Sequence, residues 1–383
     1  RIVKNPKTVL DFLNKNLEQL KSKYLEVMGM AESIKKDKVS YFDNIYFLNE
    51  YLKNNFSVNE NEIKKYFELG NITESVFKLF GNLFNVSFEV NKTIKLWHPD
   101  VFIFDIIDSG NKIAHLAFDL YPRKGKYGHA CHWTMSHGSY SKELNGYNAP
   151  VSVIISNYSK PAKNKPTLLT FWDVEAFYHE FGHALHSLLT KARYGSQAGT
   201  SVSHDFVETP SQLFEMWLND DKYLQSISSH YKTKEALSMD VISRIQNARK
   251  ITSIEQNYRT FVLSLFDIEL HLNPKDDILK LRDKILKNSS YKNISENGLW
   301  PASFGHIYGG YDVGYYGYMW ALVYSYDIFS KFKEEGITSK KVGMDLRRKI
   351  LEKGDAEDPI KIMTDFLGRK PNNKAFLKAL GIK

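Results

Sequence analysis

The stretch His179-Glu180-Phe181-Gly182-His183 holds two imidazoles four residues apart, with a carboxylate directly after the first. On a helix, residues at that spacing project from one face, so both rings can aim a nitrogen at one ion about 2.0 to 2.1 Å away. Glu180 lies one position round from His179. It is poorly placed to be a ligand and well placed to take a proton from a water beside the metal. The implied chemistry is metal-assisted hydrolysis. Two histidines on an apolar helix are otherwise ordinary core residues. Here the glutamate stands in the base position, and Val174, Phe177, Phe181 and Leu185 supply a separate apolar stripe.

A catalytic zinc needs a third protein ligand and an open position for water. One class of such enzymes takes a third histidine six residues after the second, with glycine at the third; those positions here are Leu189 and His186, which excludes that class. A carboxylate from a following helix is the remaining source. The segment Asp205-Phe206-Val207-Glu208-Thr209-Pro210-Ser211-Gln212 offers one, with Glu208 the choice and Asp205 and Glu215 its rivals. Three protein ligands plus water fill a four-coordinate site, so His186 and Asp205 are expected behind the ligands rather than on the metal. His129, His132 and His137 resemble a second metal cluster by count, but their spacing suits a strand or loop and predicts no ligand set.

These residues must be held by a helix, and Thr170 and Asp173 form a capping pair where it should begin. Upstream, Val9, Leu10, Phe12, Leu13, Leu17 and Leu20 recur at three- and four-residue spacings after Pro6, and a second helix is expected over 73–84. Residues 97–107 and 112–121 are rich in β-branched and aromatic side chains and flank Asp108-Ser109-Gly110-Asn111, a hairpin signal. Residues 151–156 read as a further strand. Helices should dominate from Thr170 onward, interrupted by the glycine-rich tract 305–317. The expected architecture is mainly α, with a small antiparallel sheet beside the metal-binding helix.

Composition narrows the class. The chain has 383 residues, 43% hydrophobic, with 24 Phe and 23 Tyr, enough rings to line a large core or a cleft. The net charge of +8 is spread over solvated segments such as 33–38 rather than concentrated beside stacking aromatics, so nucleic-acid binding is not predicted. Cys131 is the only cysteine, which excludes an intrachain disulfide and points to a reducing compartment. The N-terminal residues lack the apolar core of a signal peptide. The most hydrophobic stretch, 315–329, contains Tyr, Ser and Asp and reads as a buried helix, so no membrane insertion is predicted.

The chain resembles the thimet oligopeptidase and neurolysin family of zinc metallopeptidases. The resemblance runs through Trp97-His98-Pro99-Asp100-Val101, Asp119-Leu120-Tyr121-Pro122-Arg123-Lys124-Gly125-Lys126, residues 179–186, 205–212 and 304–318, and Asp365-Phe366-Leu367-Gly368-Arg369. It implies a zincin-type helical fold with a deep substrate channel, and one zinc ion per chain held by His179, His183 and Glu208, with Glu180 as general base. It further implies that His306, Tyr311, Tyr315 and Tyr318 bind substrate, with Tyr318 and His306 assisting catalysis at the oxyanion. Short unstructured peptides would lie extended beside a strand of the sheet and be cut at internal bonds in the cytoplasm.

Residues 1–95 would be the remainder of a longer N-terminal helical region, leaving one channel wall absent, and 96–383 the catalytic domain. The alternatives are a catalytically impaired peptide-binding fragment and a precursor-processing peptidase of the mitochondrial intermediate peptidase type, located in the matrix. The features Cys131-His132-Trp133 and Arg193-Tyr194 favour the latter, and Phe181 and Pro210-Ser211-Gln212 the oligopeptidases. An aminopeptidase would need an acidic anchor for the substrate amine, which the sequence does not offer.

Overall fold

A computed structural model describes residues 2–40, 43–57, 59–143, 145–275, 277–291 and 298–382. The chain divides into two compact units. One comprises residues 1–59, 240–321 and 376–383, and the other 60–239 and 322–375.

The first unit is helical. Its opening helix, Pro6–Lys35, starts with proline in the first turn, where no amide is needed, and Asn5 accepts the amide of Lys7. Its buried stripe runs Val9, Leu13, Leu17, Leu20, Tyr24, Val27, Met28. That stripe meets the helix Met239–Leu272: Tyr24 stacks on Tyr258 with ring centroids 4.2 Å apart, and Phe12 tilts against Phe261 at 5.8 Å. The hydrophobic stretch read from 315–329 becomes the helix Gly317–Glu335. No helix among the described residues is long and apolar enough to cross a membrane.

The second unit carries the sheet. Strands β1 (Ser87–Val90), β2 (Phe102–Asp108), β3 (Asn111–Asp119), β4 (Cys131–Ser136) and β7 (Val151–Ile155) form one sheet in the order β1-β2-β3-β7-β4. Strands β5 (Ser139–Ser141) and β6 (Gly146–Asn148) form a separate pair. The β2–β3 connection is the expected tight hairpin. Ser109 and Gly110 both have positive φ, 51° and 81°, the twist that a two-residue turn between right-twisted strands requires.

Two expectations need correction. The sheet is mixed rather than antiparallel, because β7 returns beside β3 in the same direction after a crossover through β4, β5 and β6. The strand expected from residue 97 begins at Phe102, because His98-Pro99-Asp100 turns the chain and Trp97 is spent on Asp119.

Alternation along β2 and β3 sorts two faces. Ile103 and Ala117 pack with Val101 and Val153 on one side. On the other, Phe104 and Phe118 join Phe77, Phe88, Phe177 and Phe181 in a continuous ring cluster, which passes through Phe80 to Phe214 and Trp217. Many of the aromatics read from composition are therefore core, lying under the helix that carries the histidine pair.

The end of β3 is fixed by a buried ion cluster. Arg123 donates two hydrogen bonds to the Asp119 carboxylate at 2.6 and 2.7 Å, Trp97 Nε1 donates at 3.0 Å, and Lys126 Nζ lies 3.0 Å from Oδ1. Lys126 is itself caged by the carbonyls of Asp119, Tyr121 and Ser156. Burial works against ionisation of Asp119, but these donors outweigh it and hold the carboxyl well below the ordinary range. An unfolded aspartate titrates near about 3.9. The stabilisation is therefore complete above about pH 5 and is lost as acid titrates the carboxyl toward its folded-state value. Asp119→Asn should cost about 3 kcal/mol at neutral pH in denaturant unfolding, the effect of removing one partner from a buried ion cluster, and the deficit should shrink as the pH falls below about 4.

Candidate metal centre

The helix Phe171–Leu188 begins with a complete capping box. Thr170 accepts the amide of Asp173 through its side chain, and Asp173 accepts the amide of Thr170. Val174, Phe177, Phe181 and Leu185 are buried, as the stripe required, while His179, Glu180 and His183 remain partly accessible.

The following helix, His204–Glu215, crosses it closely, and Gly182 is what permits the approach. A β-carbon there would lie 2.7 Å from Ser211 Cα and 2.9 Å from the Pro210 carbonyl oxygen, too near for any side chain. The glycine inside the motif thus sets the distance between the helix bearing the histidines and the one bearing Glu208.

Glu208 is buried, with Oε2 lying 3.2 Å from His179 Nε2 and 3.2 Å from His183 Nε2. All three donor atoms lie within 4.8 Å of one another, and no other group of His, Cys, Asp and Glu among the described residues forms such a set. Bonds of about 2.0 to 2.1 Å in a tetrahedral arrangement place neighbouring donors about 3.3 Å apart, so the observed spacing suits a small cation such as zinc. The donor set, two imidazoles and one carboxylate, is also one of those that catalytic zinc takes.

Glu215, weighed from sequence as a rival ligand, occupies a different position. Its Oε1 is 2.6 Å from His179 Nδ1, so that nitrogen donates to Glu215 and Nε2 is the atom that would face a bound cation. Seven residues separate Glu208 from Glu215, two helical turns that bring both to one face, and this spacing was the available signal. Burial alone would make His179 less basic, but Glu208 and Glu215 raise its pKa well above the ordinary value, while His183 and His179 hold Glu208 well below its own. A bound cation would have to displace a proton from these side chains.

Glu208 is also braced by Ser211, whose hydroxyl donates to both its carbonyl and its Oε2 at 3.0 Å. Asp205 is buried one turn before Glu208. His186 is fully buried, with neither ring nitrogen hydrogen-bonded, and burial followed by the neighbouring His183 lowers it to about 3, so it is neutral. His132 lies on β4, bonded to Ser152 Oγ at 3.0 Å, with its ring 6.0 Å from that of His183.

The second group of expected residues also gathers. His306 lies 5.7, 5.0 and 6.0 Å, centroid to centroid, from Tyr311, Tyr315 and Tyr318. Tyr311 stacks on Tyr318 at 5.2 Å. All four belong to the first unit. Burial raises the Tyr315 phenol above its ordinary pKa, which keeps it a neutral O–H donor.

The sequence model of Peptidase family M3 matches residues 1–382. The chain belongs to peptidase family M3. Among its relatives, the thimet-like oligopeptidase of Dictyostelium discoideum is 36% identical over 376 residues, covering 96% of this chain and 55% of that protein. Oligopeptidase A of Escherichia coli strain K12 is 30% identical over 396 residues, covering 100% and 58%, and saccharolysin of Saccharomyces cerevisiae is 33% identical over 412 residues, covering 100% and 57%. The chain therefore spans little more than half the length of these M3 relatives. Among solved structures, BsuCP superposes with a TM-score of 0.52 at 14% identity, covering 96% of this chain and 65% of that one. An M32 carboxypeptidase from Deinococcus radiodurans R1 gives 0.51 at 11%, covering 96% and 65%. At such identities the likeness concerns the fold, which agrees with the mainly helical metallopeptidase architecture expected from the sequence.

Proposed function

We propose that this M3 chain hydrolyses internal bonds of short peptides, with one zinc ion held by His179, His183 and Glu208. The observation that carries the reading is the pair of 3.2 Å separations from one Glu208 oxygen to the two histidine nitrogens, with Glu180 on the same helix beside His179. When bound, the ion would acidify water and polarise the scissile carbonyl. Glu180 takes the proton of the attacking water and passes it to the leaving amine. Glu215 keeps His179 in the required tautomer, and Tyr318, with His306, donates a hydrogen bond to the developing oxyanion. Tyr311, Tyr315 and His306 contact the peptide.

An extended substrate is taken up along β4. That strand ends the sheet order and packs beside the motif helix, so its outer backbone groups can pair with a peptide strand. We assign catalysis to residues 96–383. The lone Cys131 fits a reducing compartment such as the cytoplasm. The names of the relatives, oligopeptidases over 96 to 100% of this chain, favour the oligopeptidase reading over the processing peptidase.

The test is product mapping on N-terminally blocked, internally quenched peptides of increasing length. Internal cleavage that a chelator abolishes and zinc restores is the expected result. Removal of single N-terminal residues from unblocked peptides only, or tight peptide binding by the zinc-loaded chain without hydrolysis, would refute it.

A further inference from the structure

The tract 305–317 turns sharply, and one of its residues is conformationally costly. Val313 has φ +55°, the left-handed region, which a β-branched residue adopts only against a penalty on the order of 1 to 2 kcal/mol. Something must hold it there. Asp267, on the helix Met239–Leu272, has a fully buried side chain, and its two carboxylate oxygens are shared out along the turn. Oδ1 accepts the Val313 amide at 3.0 Å and Oδ2 the Tyr315 amide at 3.1 Å. One turn further along the helix, His271 Nδ1 lies 2.8 Å from the Asp267 carbonyl and 3.1 Å from Oδ1, so it carries a proton and donates to both. Hydrogen bonds to an ionised, buried carboxylate are among the strongest available to a backbone amide. The turn closes on itself as well, with the Gly314 amide on the Tyr311 carbonyl and the Tyr311 amide on that of His306.

We propose that Asp267 is a positioning residue: by gripping the Val313 and Tyr315 amides across the strained turn, with His271 backing it, Asp267 fixes the His306, Tyr311, Tyr315 and Tyr318 cluster for the peptide reaction. The grip is a property of the first unit alone; its catalytic consequence rests on the role given to Tyr318 above. A buried aspartate that merely stabilised its helix would not aim both oxygens at two amides nearly fifty residues away.

The test uses the full chain with Asp267→Asn, which keeps the shape of the side chain but offers one acceptor instead of two. Amide hydrogen exchange at Val313 and Tyr315 should accelerate at least about tenfold, the loss of a charge-assisted hydrogen bond. The zinc content should remain that of the parent. Turnover should fall by about 10- to 100-fold in kcat/KM, the scale of misplaced catalytic and substrate-contacting groups. Combined with Tyr318→Phe, the loss should be smaller than the product of the two single losses, because part of what Asp267→Asn removes is the positioned Tyr318 donor.

Parental exchange at both amides, or acceleration spread evenly over the first unit, would overturn the proposal, as would strictly multiplicative losses in the double variant. If Tyr318→Phe alone leaves turnover unchanged, the oxyanion reading fails, and the exchange result still decides whether Asp267 anchors the turn. Should Asp267→Asn not fold, His271→Ala decides instead: selective acceleration at Val313 supports the grip and parental exchange there contradicts it.

Discussion

Glu208→Ala should weaken zinc binding by more than about 100-fold in competition against a chromophoric chelator, a loss beyond the upper end of what deleting an outer-sphere partner costs. Two imidazoles would remain, but the carboxylate oxygen 3.2 Å from each of them would be gone, along with the negative charge that offsets the cation in a buried cavity. The variant should fold, because the crossing of the two helices is set by Gly182 against Ser211 and Pro210 rather than by Glu208. A parental zinc affinity would move the third ligand elsewhere. Glu215 is the side chain to examine first, since it already touches His179.

Glu180→Gln should give the opposite dissociation of properties, with zinc retained and peptide hydrolysis reduced about a thousandfold in kcat/KM. That loss is of the size a positioned general base contributes and corresponds to about 4 kcal/mol of transition-state stabilisation. Glutamine preserves the shape and a hydrogen-bond acceptor but cannot take a proton. The measurement is the initial rate on a quenched fluorescent peptide alongside metal analysis of the same sample. Retention of the full rate would remove Glu180 from the chemistry; loss of zinc together with rate would make it a ligand.

Much of this arrangement is legible in the amino-acid sequence because its determinants are local. The capping pair Thr170 and Asp173 fixes where the motif helix starts, and the four-residue histidine spacing fixes which face the rings share. Ser109-Gly110 marks the hairpin by its positive φ. Less legible is whatever depends on pairs distant in sequence or on uncommon local devices. The helix expected from residue 73 begins at Leu69, because Glu68 caps it by accepting the amides of Gly70 and Asn71. Glutamate is not among the favoured capping residues, so the start carries no ordinary signal. The parallel β3–β7 pairing depends on a crossover of irregular chain and short strands whose return direction no periodicity encodes.

The site is partly legible for the same reason. His179, Glu180 and His183 share one helix, and Glu208 follows on the next, so local spacing proposes them together. The role of Gly182 emerges only when the second helix is laid against it. Glu215 is visible as a carboxylate, but its hydrogen bond to His179 Nδ1, in place of a seat beside Glu208 in the donor set, is a matter of side-chain direction. Asp267 carries no local motif at all, since its partners are amides of residues 313 and 315.

The most direct test is anomalous diffraction at the zinc edge from crystals of the zinc-loaded chain. A single peak within about 2.0 to 2.2 Å of His179 Nε2, His183 Nε2 and Glu208 Oε2 is the expected result. No peak at that position, or one held by a different set of side chains, would contradict the assignment.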